Sequence, residues 1–271
     1  MDRPQLVCFG STCIDYYTDQ DGGTPFVGGG PLNMAVHAAG LGIRSALVSA
    51  AGTDRYGQMF RDALNDHHVD DSHFYIRDGR SPLCEVRMQD SERILGDYEE
   101  GVLRDFRLSE EDIRFICGAE ICVTDLWGNQ GAAFRKIKRS AASLAFDCAD
   151  RPDDPLAQEA LRYADILFFS AEGDSHDLRA KMCSMMKRGR IVTATLSENG
   201  SVALDDDGFH LCGIVPCEKI VDTMGAGDSY IAGFLSGLIK GEPIQNCMEA
   251  GAREASRTLA HYGAFRQEGR I

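Results

Sequence analysis

Val221-Asp222-Thr223-Met224-Gly225-Ala226-Gly227-Asp228-Ser229 sets an aspartate at the start of a long apolar helix, directly after a Gly-Ala-Gly turn. Glycines let the backbone turn tightly with no side chain in the way, so successive N–H groups point at one spot at the positive end of the helix dipole. Such a turn receives an oxyanion or a phosphoryl group, and Asp228 stands beside it, placed to take a proton from an incoming hydroxyl. That pairing suits phosphoryl transfer, in which positioning and charge stabilisation do most of the catalysis. The plainer reading is a helix start whose acidic residue merely complements the dipole. The helix favours the functional one. Tyr230, Ile231, Phe234, Leu235, Leu238 and Ile239 recur at helical spacing with Gly233 and Gly237 on a third stripe, the pattern of a buried helix whose N-terminus is held rigid.

Upstream, short continuous apolar runs at Leu6–Phe9, Ala46–Ala50, Ile121–Val123, Leu144–Phe146, Ile166–Phe169 and Ile191–Leu196 read as strands buried on both faces. Helical patterns over Pro31–Gly40, Gln58–His67, Ser109–Cys117, Ala132–Ala141 and Leu178–Arg188 alternate with them. This rhythm predicts an α/β fold, a mostly parallel sheet between helices, with ligands bound beyond the carboxyl ends of its strands. Ser201–Leu204 and Phe209–Cys212, around Asp205-Asp206-Asp207-Gly208, read as an antiparallel hairpin at the sheet edge. Two segments break the rhythm, about 12–27 and 83–103, and read as a small strand-rich lid. No linker or composition break divides the 271 residues, so residues 1–271 are read as one domain with that lid appended.

The formal net charge of −14 leaves no basic patch to neutralise phosphates, which argues against nucleic acid or an anionic membrane as partner. The apolar run after Met1-Asp2-Arg3-Pro4-Gln5 is too brief for a signal-peptide core, and no stretch approaches a membrane span; the reading is a soluble cytoplasmic protein. Ten cysteines include three pairs at one spacing, Cys8/Cys13, Cys117/Cys122 and Cys212/Cys217, but none is Cys-x-x-Cys. Most stand among apolar residues, as buried thiols of a reducing compartment do, and a structural metal is not expected.

Gly28-Gly29-Gly30-Pro31-Leu32-Asn33 opens a helix after a strand-like Phe26-Val27. The third glycine of a dinucleotide fingerprint is Asn33 here, and its amide offers a donor and acceptors to vicinal hydroxyls while the glycines permit close approach. An ordinary helix start after a glycine turn is the alternative. Asp15 follows the first strand, where an ionised carboxylate accepts from two sugar hydroxyls or is simply solvated. Asp54 reads as the cap of the next helix. Asp147, at another strand end, serves metal or phosphate, or caps a loop.

The Asp-Thr-x-Gly-Ala-Gly-Asp stretch resembles the C-terminal signature of the ribokinase-like (PfkB) carbohydrate kinases, and Gly10-x-x-x-x-Asp15, Gly28-Gly29-Gly30-x-x-Asn33 and Gly52-x-Asp54-x-x-Gly57 follow that family's order. Gly96-Asp97-Tyr98-Glu99-Glu100-Gly101-Val102-Leu103, with Asp105-Phe106 and Leu108-Ser109-Glu110-Glu111-Asp112, resembles its fructoselysine 6-kinase branch. The resemblance implies a ribokinase-like three-layer α/β/α fold with a β-strand lid that covers the sugar and clasps a second subunit into a homodimer. It implies ATP and Mg²⁺, admits a monovalent cation such as K⁺, and makes Asp228 the base, with the amides of Gly225, Ala226 and Gly227 as the anion hole. Asp15, Gly29, Gly30 and Asn33 become sugar contacts.

Thr195-Leu196-Ser197-Glu198-Asn199-Gly200 resembles the family's Thr-Leu-Gly-x-x-Gly nucleotide loop with Ser197 in place of a glycine. Thr195, Glu198 and Gly200 then lie near ATP, together with Gly225 and Gly227; a plain strand-to-hairpin turn is the alternative. Where many relatives carry Asn-x-x-Glu to organise Mg²⁺-bound water, this chain reads Ser170-Ala171-Glu172-Gly173, so neither Glu172 nor Asp174 is assigned and the metal ligands stay open. From Cys84 to Phe106 seven acidic residues face three arginines. Such a run is usually a solvated face, but a fructosyl-amino acid brings a cationic amine that Asp97, Glu99 or Glu100 can neutralise and a carboxylate for Arg93. The function expected is phosphorylation of the 6-hydroxyl of a fructosamine, most directly fructoselysine. Kinases of fructoseasparagine, fructose or 2-keto-3-deoxygluconate, and a non-catalytic sugar- or nucleotide-binding regulator, are the alternatives.

Overall fold

The computed structural model describes residues 3–267 apart from 20–22, 90–91 and 129. Asp90 of the acidic run therefore lies outside the described residues, as does the Glu92 side chain.

The chain opens with β1 (Leu6–Phe9), β2 (Cys13–Tyr17), β3 (Thr24–Gly28), α1 (Gly30–Gly40), β4 (Ser45–Gly52), α2 (Arg55–Asp66) and β5 (Phe74–Arg77). Then come β6 (Leu83–Gln89), β7 (Glu92–Glu99), a 3₁₀ turn (Gly101–Asp105), α3 (Glu110–Ile116), β8 (Ile121–Asp125), α4 (Gly131–Ile137) and β9 (Ser143–Asp147). The last third holds α5 (Pro155–Ala160), β10 (Ile166–Ser170), α6 (His176–Met185), β11 (Ile191–Thr195), β12 (Ser201–Asp205), β13 (Gly208–Cys212), α7 (Ala226–Ile239) and α8 (Ile244–Thr258). One sheet has nine strands in the order β13-β12-β11-β10-β9-β8-β1-β4-β5; the other has four, β3-β2-β6-β7.

In the large sheet, β11 through β5 are parallel and the β12–β13 hairpin closes one edge antiparallel. The continuous apolar runs are explained by the layers. In β1, Leu6 and Cys8 enter the core shared with α1, α2, α7 and α8, whereas Val7 and Phe9 enter the core under α3 to α6. A strand covered on both faces has no side to leave polar. Seven of the ten cysteines are buried and all ten are free thiols.

Three elements carried no sequence expectation: β5, the short α5, and α8. Helix α8 packs on α7 through small residues, and this settles the glycine stripe of α7: a Cβ on Gly233 would lie 2.7 Å from the Ala250 carbonyl oxygen, and one on Gly237 2.8 Å from Cys247 Sγ. Helix α6 ends at Met185, short of Arg188, because Met186 turns extended at φ −70°, ψ 144°. The 83–103 segment is strand only to Glu99; Gly101–Asp105 is the 3₁₀ turn, whose Val102 N–H donates to the Arg80 carbonyl at 2.9 Å.

Asp54 is structural. It caps α2 through Tyr56 N–H at 3.1 Å and also accepts the N–H and the hydroxyl of Ser81, each at 2.7 Å. Asp54→Ala is expected to cost about 1–3 kcal/mol, from the lost cap and the unpaired Ser81 donors, in urea unfolding. Catalytic efficiency should stay within about twofold, since no substrate contact is removed.

Candidate active site

Strand β1 pairs with β4 on one side and β8 on the other, and the chain runs outward from β1 in opposite directions, through β4–β5 first and β8–β11 later. The crevice at such a reversal opens at the carboxyl ends of the two central strands. There Ser11, after β1, donates its hydroxyl to Asp125 Oδ2 at 2.7 Å across 114 residues of sequence. Asp125, the last residue of β8, takes two further N–H bonds on Oδ1, from Trp127 at 3.1 Å and Gly128 at 3.0 Å. Sequence reasoning did not single it out. The rule that selected Asp147, a carboxylate at the end of an apolar strand run, applies equally to Asp125.

Three other side chains stand with Asp125 around the Gly28–Gly30 turn. Asp15, on β2 and 6% exposed, lies so close beneath Gly28 that a Cβ there would fall 2.3 Å from its Oδ2. Gly29 has φ +102° and leaves only 2.6 Å between a built Cβ and Thr12 Cα, so no other residue fits. A Cβ on Gly30 would sit between Asp125 Oδ2 at 2.7 Å and Asp228 Oδ1 at 3.3 Å. Asn33, from the first turn of α1, donates Nδ2 to Asp228 Oδ2 at 2.8 Å, and its own Oδ1 is buried without a partner among the described residues. A buried acceptor left unpaired costs stability, and a ligand hydroxyl is the group that would satisfy it.

The glycine turn forms as read from the sequence. Gly225 caps α7 in the left-handed region at φ 73°, its Cα packed on Ala264. Ala226 N–H makes a long 3.3 Å bond to the Thr223 carbonyl, so of the three amides those of Gly225 and Gly227 are the ones without a protein partner among the described residues. Asp228 follows in the first turn of the helix.

Burial governs the charges. It pushes Asp15 up to about 7 against the pull of Arg93, with Asp228 and Asp222 adding repulsion. It lifts Asp125 to about 6 despite the Ser11 bond, and Asp147 to about 8 with help from the charge on Asp228. The Asp228 carboxyl is raised for the same reason, opposed by the Asn33 amide, Arg93 and His37. A carboxyl whose folded pKa exceeds its unfolded value of about 3.9 contributes stability that is complete below that value and is lost as pH rises through the folded pKa. For Asp15 and Asp147 that loss runs through about 7 and about 8. The melting temperature is therefore expected to fall between pH 6 and pH 9, and Asp147→Asn to flatten the fall; a profile identical in that variant would refute the assignment.

Arg93, on β7 and exposed, donates Nη1 to the Thr223 carbonyl at 2.8 Å and to its hydroxyl at 3.2 Å, which sets the guanidinium beside the anion turn. Glu99 faces Arg80 at 3.6 Å and Glu100 faces Arg104 at 3.3 Å, both on the surface. Asp97 stands exposed in the irregular stretch where the register of β6 and β7 shifts.

On the other side, Thr195 ends β11 with its hydroxyl 3.2 Å from that of Ser170. Ser197 takes φ +50°, a conformation costing a non-glycine residue about 1–2 kcal/mol, where the resembled loop has glycine. Gly200 has φ +85° and a Cβ there would lie 2.1 Å from the Cys212 carbonyl, so the hairpin turn requires glycine; Glu198 is exposed. A cavity of about 870 Å³ opens here between Arg151, Asp153, Ser170, Glu172 and Lys181. Asp174 is clamped by Arg179 at 2.7 and 2.6 Å, leaving Glu172 as the exposed carboxylate of the altered Asn-x-x-Glu segment.

A mostly parallel sheet with Asp15, Asn33, Asp125 and Asp228 set around one glycine turn at its reversal, and an amide cradle beside a buried carboxylate, fits an α/β sugar kinase. The chain belongs to the pfkB family of carbohydrate kinases, whose family model matches residues 3–267. It is 36% identical over 261 residues to a fructoselysine 6-kinase of Shigella flexneri, covering 96% of this chain and 99% of that one. It is 27% identical to a fructosamine kinase of Bacillus subtilis, covering 96% and 93%. The structure of Arabidopsis thaliana ribokinase with ribose and ATP superposes with a TM-score of 0.84 at 22% identity, over 97% and 95% of the chains, so the fold is ribokinase-like.

Proposed function

We propose that this protein transfers the γ-phosphoryl group of ATP to the 6-hydroxyl of a fructosamine, fructoselysine foremost. The observation that carries the reading is Asp228, hydrogen-bonded to Asn33 at 2.8 Å and set in the first helical turn beside the amides of Gly225 and Gly227, which have no protein partner among the described residues. The similarity to a fructoselysine 6-kinase over nearly the whole chain supplies the substrate class. The sugar O6–H proton passes to Asp228, the O6–P bond forms as the bond to the β,γ-bridging oxygen breaks, and ADP leaves. The Gly225 and Gly227 amides, with Ala226 between them, take the charge on the moving phosphoryl oxygens. Asp15, Asn33 and Asp125 hold hydroxyls over the backbone of Gly29 and Gly30, and Asp97 is the lid carboxylate available to the cationic amine.

ATP would lie along Thr195, Glu198 and Gly200. Among the described residues no three His, Cys, Asp or Glu side chains converge as a metal cage. The donor set suits Mg²⁺ that would enter on the ATP phosphates and need one or two carboxylates, for which Asp147 and Glu172 are the candidates. When bound it would neutralise phosphate charge. No helix among the described residues is long and apolar enough to cross a membrane, and ten free thiols fit a reducing cytoplasm. The exposed Ile94, Leu95 and Tyr98 of the lid strand β7 suit burial against a second copy; light scattering of the eluting protein would read a dimer or a monomer.

The test is ADP release with Mg-ATP against fructoselysine, fructoseasparagine, fructose and 2-keto-3-deoxygluconate. Fructoselysine is expected to lead in kcat/KM by about tenfold or more. Another sugar in the lead would leave a kinase with a different acceptor; sugar and ATP binding without any ADP would make the protein a regulator.

A further inference from the structure

We propose that Tyr17 is a positioning residue for phosphoryl transfer, its hydroxyl holding Asp222 and, through Asp222, the anion turn in register with the sugar-binding strand. This rests on the kinase reading above. Asp222 opens the Asp-Thr-x-Gly-Ala-Gly-Asp stretch but takes no part in the chemistry assigned so far. It is fully buried, six residues before Asp228 in the sequence, and three donors converge on it. Met224 N–H reaches Oδ1 at 2.9 Å, Gly263 N–H reaches Oδ2 at 2.9 Å, and the Tyr17 hydroxyl donates to Oδ2 as well.

Those donors belong to three separate parts of the chain. Tyr17 ends β2, two residues beyond Asp15 and so on the same face of the strand. Its ring is fully buried and fixed edge-on by Phe26, with centroids 5.1 Å apart, and by Tyr262 at 6.3 Å. Gly263 lies in the carboxy-terminal segment, whose next residue, Ala264, presses on Gly225 and gives its carbonyl to His37 of α1 at 2.8 Å. Met224 is in the anion turn itself. One buried carboxylate therefore joins the strand bearing Asp15, the turn bearing the Gly225 and Gly227 amides, and the segment that supports that turn.

The Tyr17 hydroxyl is the side-chain donor in this set, and a phenyl ring would remove it while keeping the packing. Asp222 would then be buried one bond short and would re-aim, turning the Thr223–Gly225 peptides with it. A misplacement of about 1 Å costs on the order of 10²-fold when reacting groups must be held in line.

The experiment is Tyr17→Phe, read by four quantities: kcat, KM for fructoselysine, Kd for MgADP, and Kd for MgADP with tetrafluoroaluminate in the presence of sugar, a mimic of the phosphoryl group in flight. Expected are a fall in kcat of about 10- to 10²-fold and an equal loss for the fluoroaluminate complex, with the sugar and MgADP constants within about threefold. A purely structural tyrosine would weaken all four together, and that result, or an unchanged kcat, overturns the proposal. Should Tyr17→Phe fail to fold, Asp222→Asn is read by the same four quantities: the same selective loss supports the proposal, and a uniform loss or an unchanged kcat overturns it. An active wild type with an unaltered variant defeats this inference alone; a wild type inactive on every fructosamine defeats the function beneath it.

Discussion

Asp228→Asn lowers turnover by about 10²- to 10⁴-fold, the usual size of a general-base contribution. Asparagine has the same shape, and its carbonyl oxygen still accepts the Nδ2 bond that Asn33 makes at 2.8 Å, so the fold and the sugar site are expected to survive. What is lost is the ability to take the O6 proton as the O6–P bond forms. KM for the sugar should move by no more than about threefold, which separates a missing base from a damaged pocket. The wild type carries its own check. Burial raises the Asp228 carboxyl, so the acid limb of the kcat/KM profile should lie above the range of a solvated aspartate, with activity lost as the pH falls and the base is protonated. Steady-state turnover of the variant close to wild type would remove Asp228 from the mechanism.

Gly30→Ala should lower kcat/KM for the sugar by about 10- to 10²-fold, because the added methyl displaces two carboxylates of the proposed sugar site, and overpacking of this kind costs about 1–3 kcal/mol. The added methyl would stand 2.7 Å from Asp125 Oδ2 and 3.3 Å from Asp228 Oδ1. Asp125 cannot simply swing aside, since Ser11, Trp127 and Gly128 hold both its oxygens. Gly30 is the first residue of α1 and has no positive φ, so alanine suits the helix backbone, but the contact with Asp125 is present in the free protein too and the melting temperature should fall with it. Loss of efficiency in protein that is still folded at the assay temperature would show that the space between the two carboxylates belongs to the substrate. Unchanged efficiency would place the sugar elsewhere.

Both predictions draw on residues that are legible in the sequence. The Gly225–Asp228 turn, the glycine run ending at Asn33, and Asp15 after the first strand are local signals: a turn that only glycine makes easily, a helix start, a carboxylate at a strand end. The helix after Asp228 and the strands of the large sheet are legible for the same reason, since apolar spacing is a property of neighbours in sequence. Asp54 reads as a cap because its partner Tyr56 is two residues away, and the structure makes it one.

What lay beyond reach involved partners far apart along the chain. Arg93 reads as a partner for an aminoacyl carboxylate, and nothing local shows that the fold also brings it against Thr223, 130 residues on. Glu99 and Glu100 read as available for an amine, yet each faces a surface arginine. Asp125 gains its meaning from Ser11, and Asp222 from Tyr17, across 205 residues. The sequence by itself determined the layered sheet, the anion turn and the carboxylate placed beside it, because backbone sterics and apolar periodicity act over a few residues. Only the tertiary structure decided which carboxylates share the crevice and which cation answers them, because desolvation and charge pairing depend on what the fold packs into a few ångströms, whatever the distance along the chain.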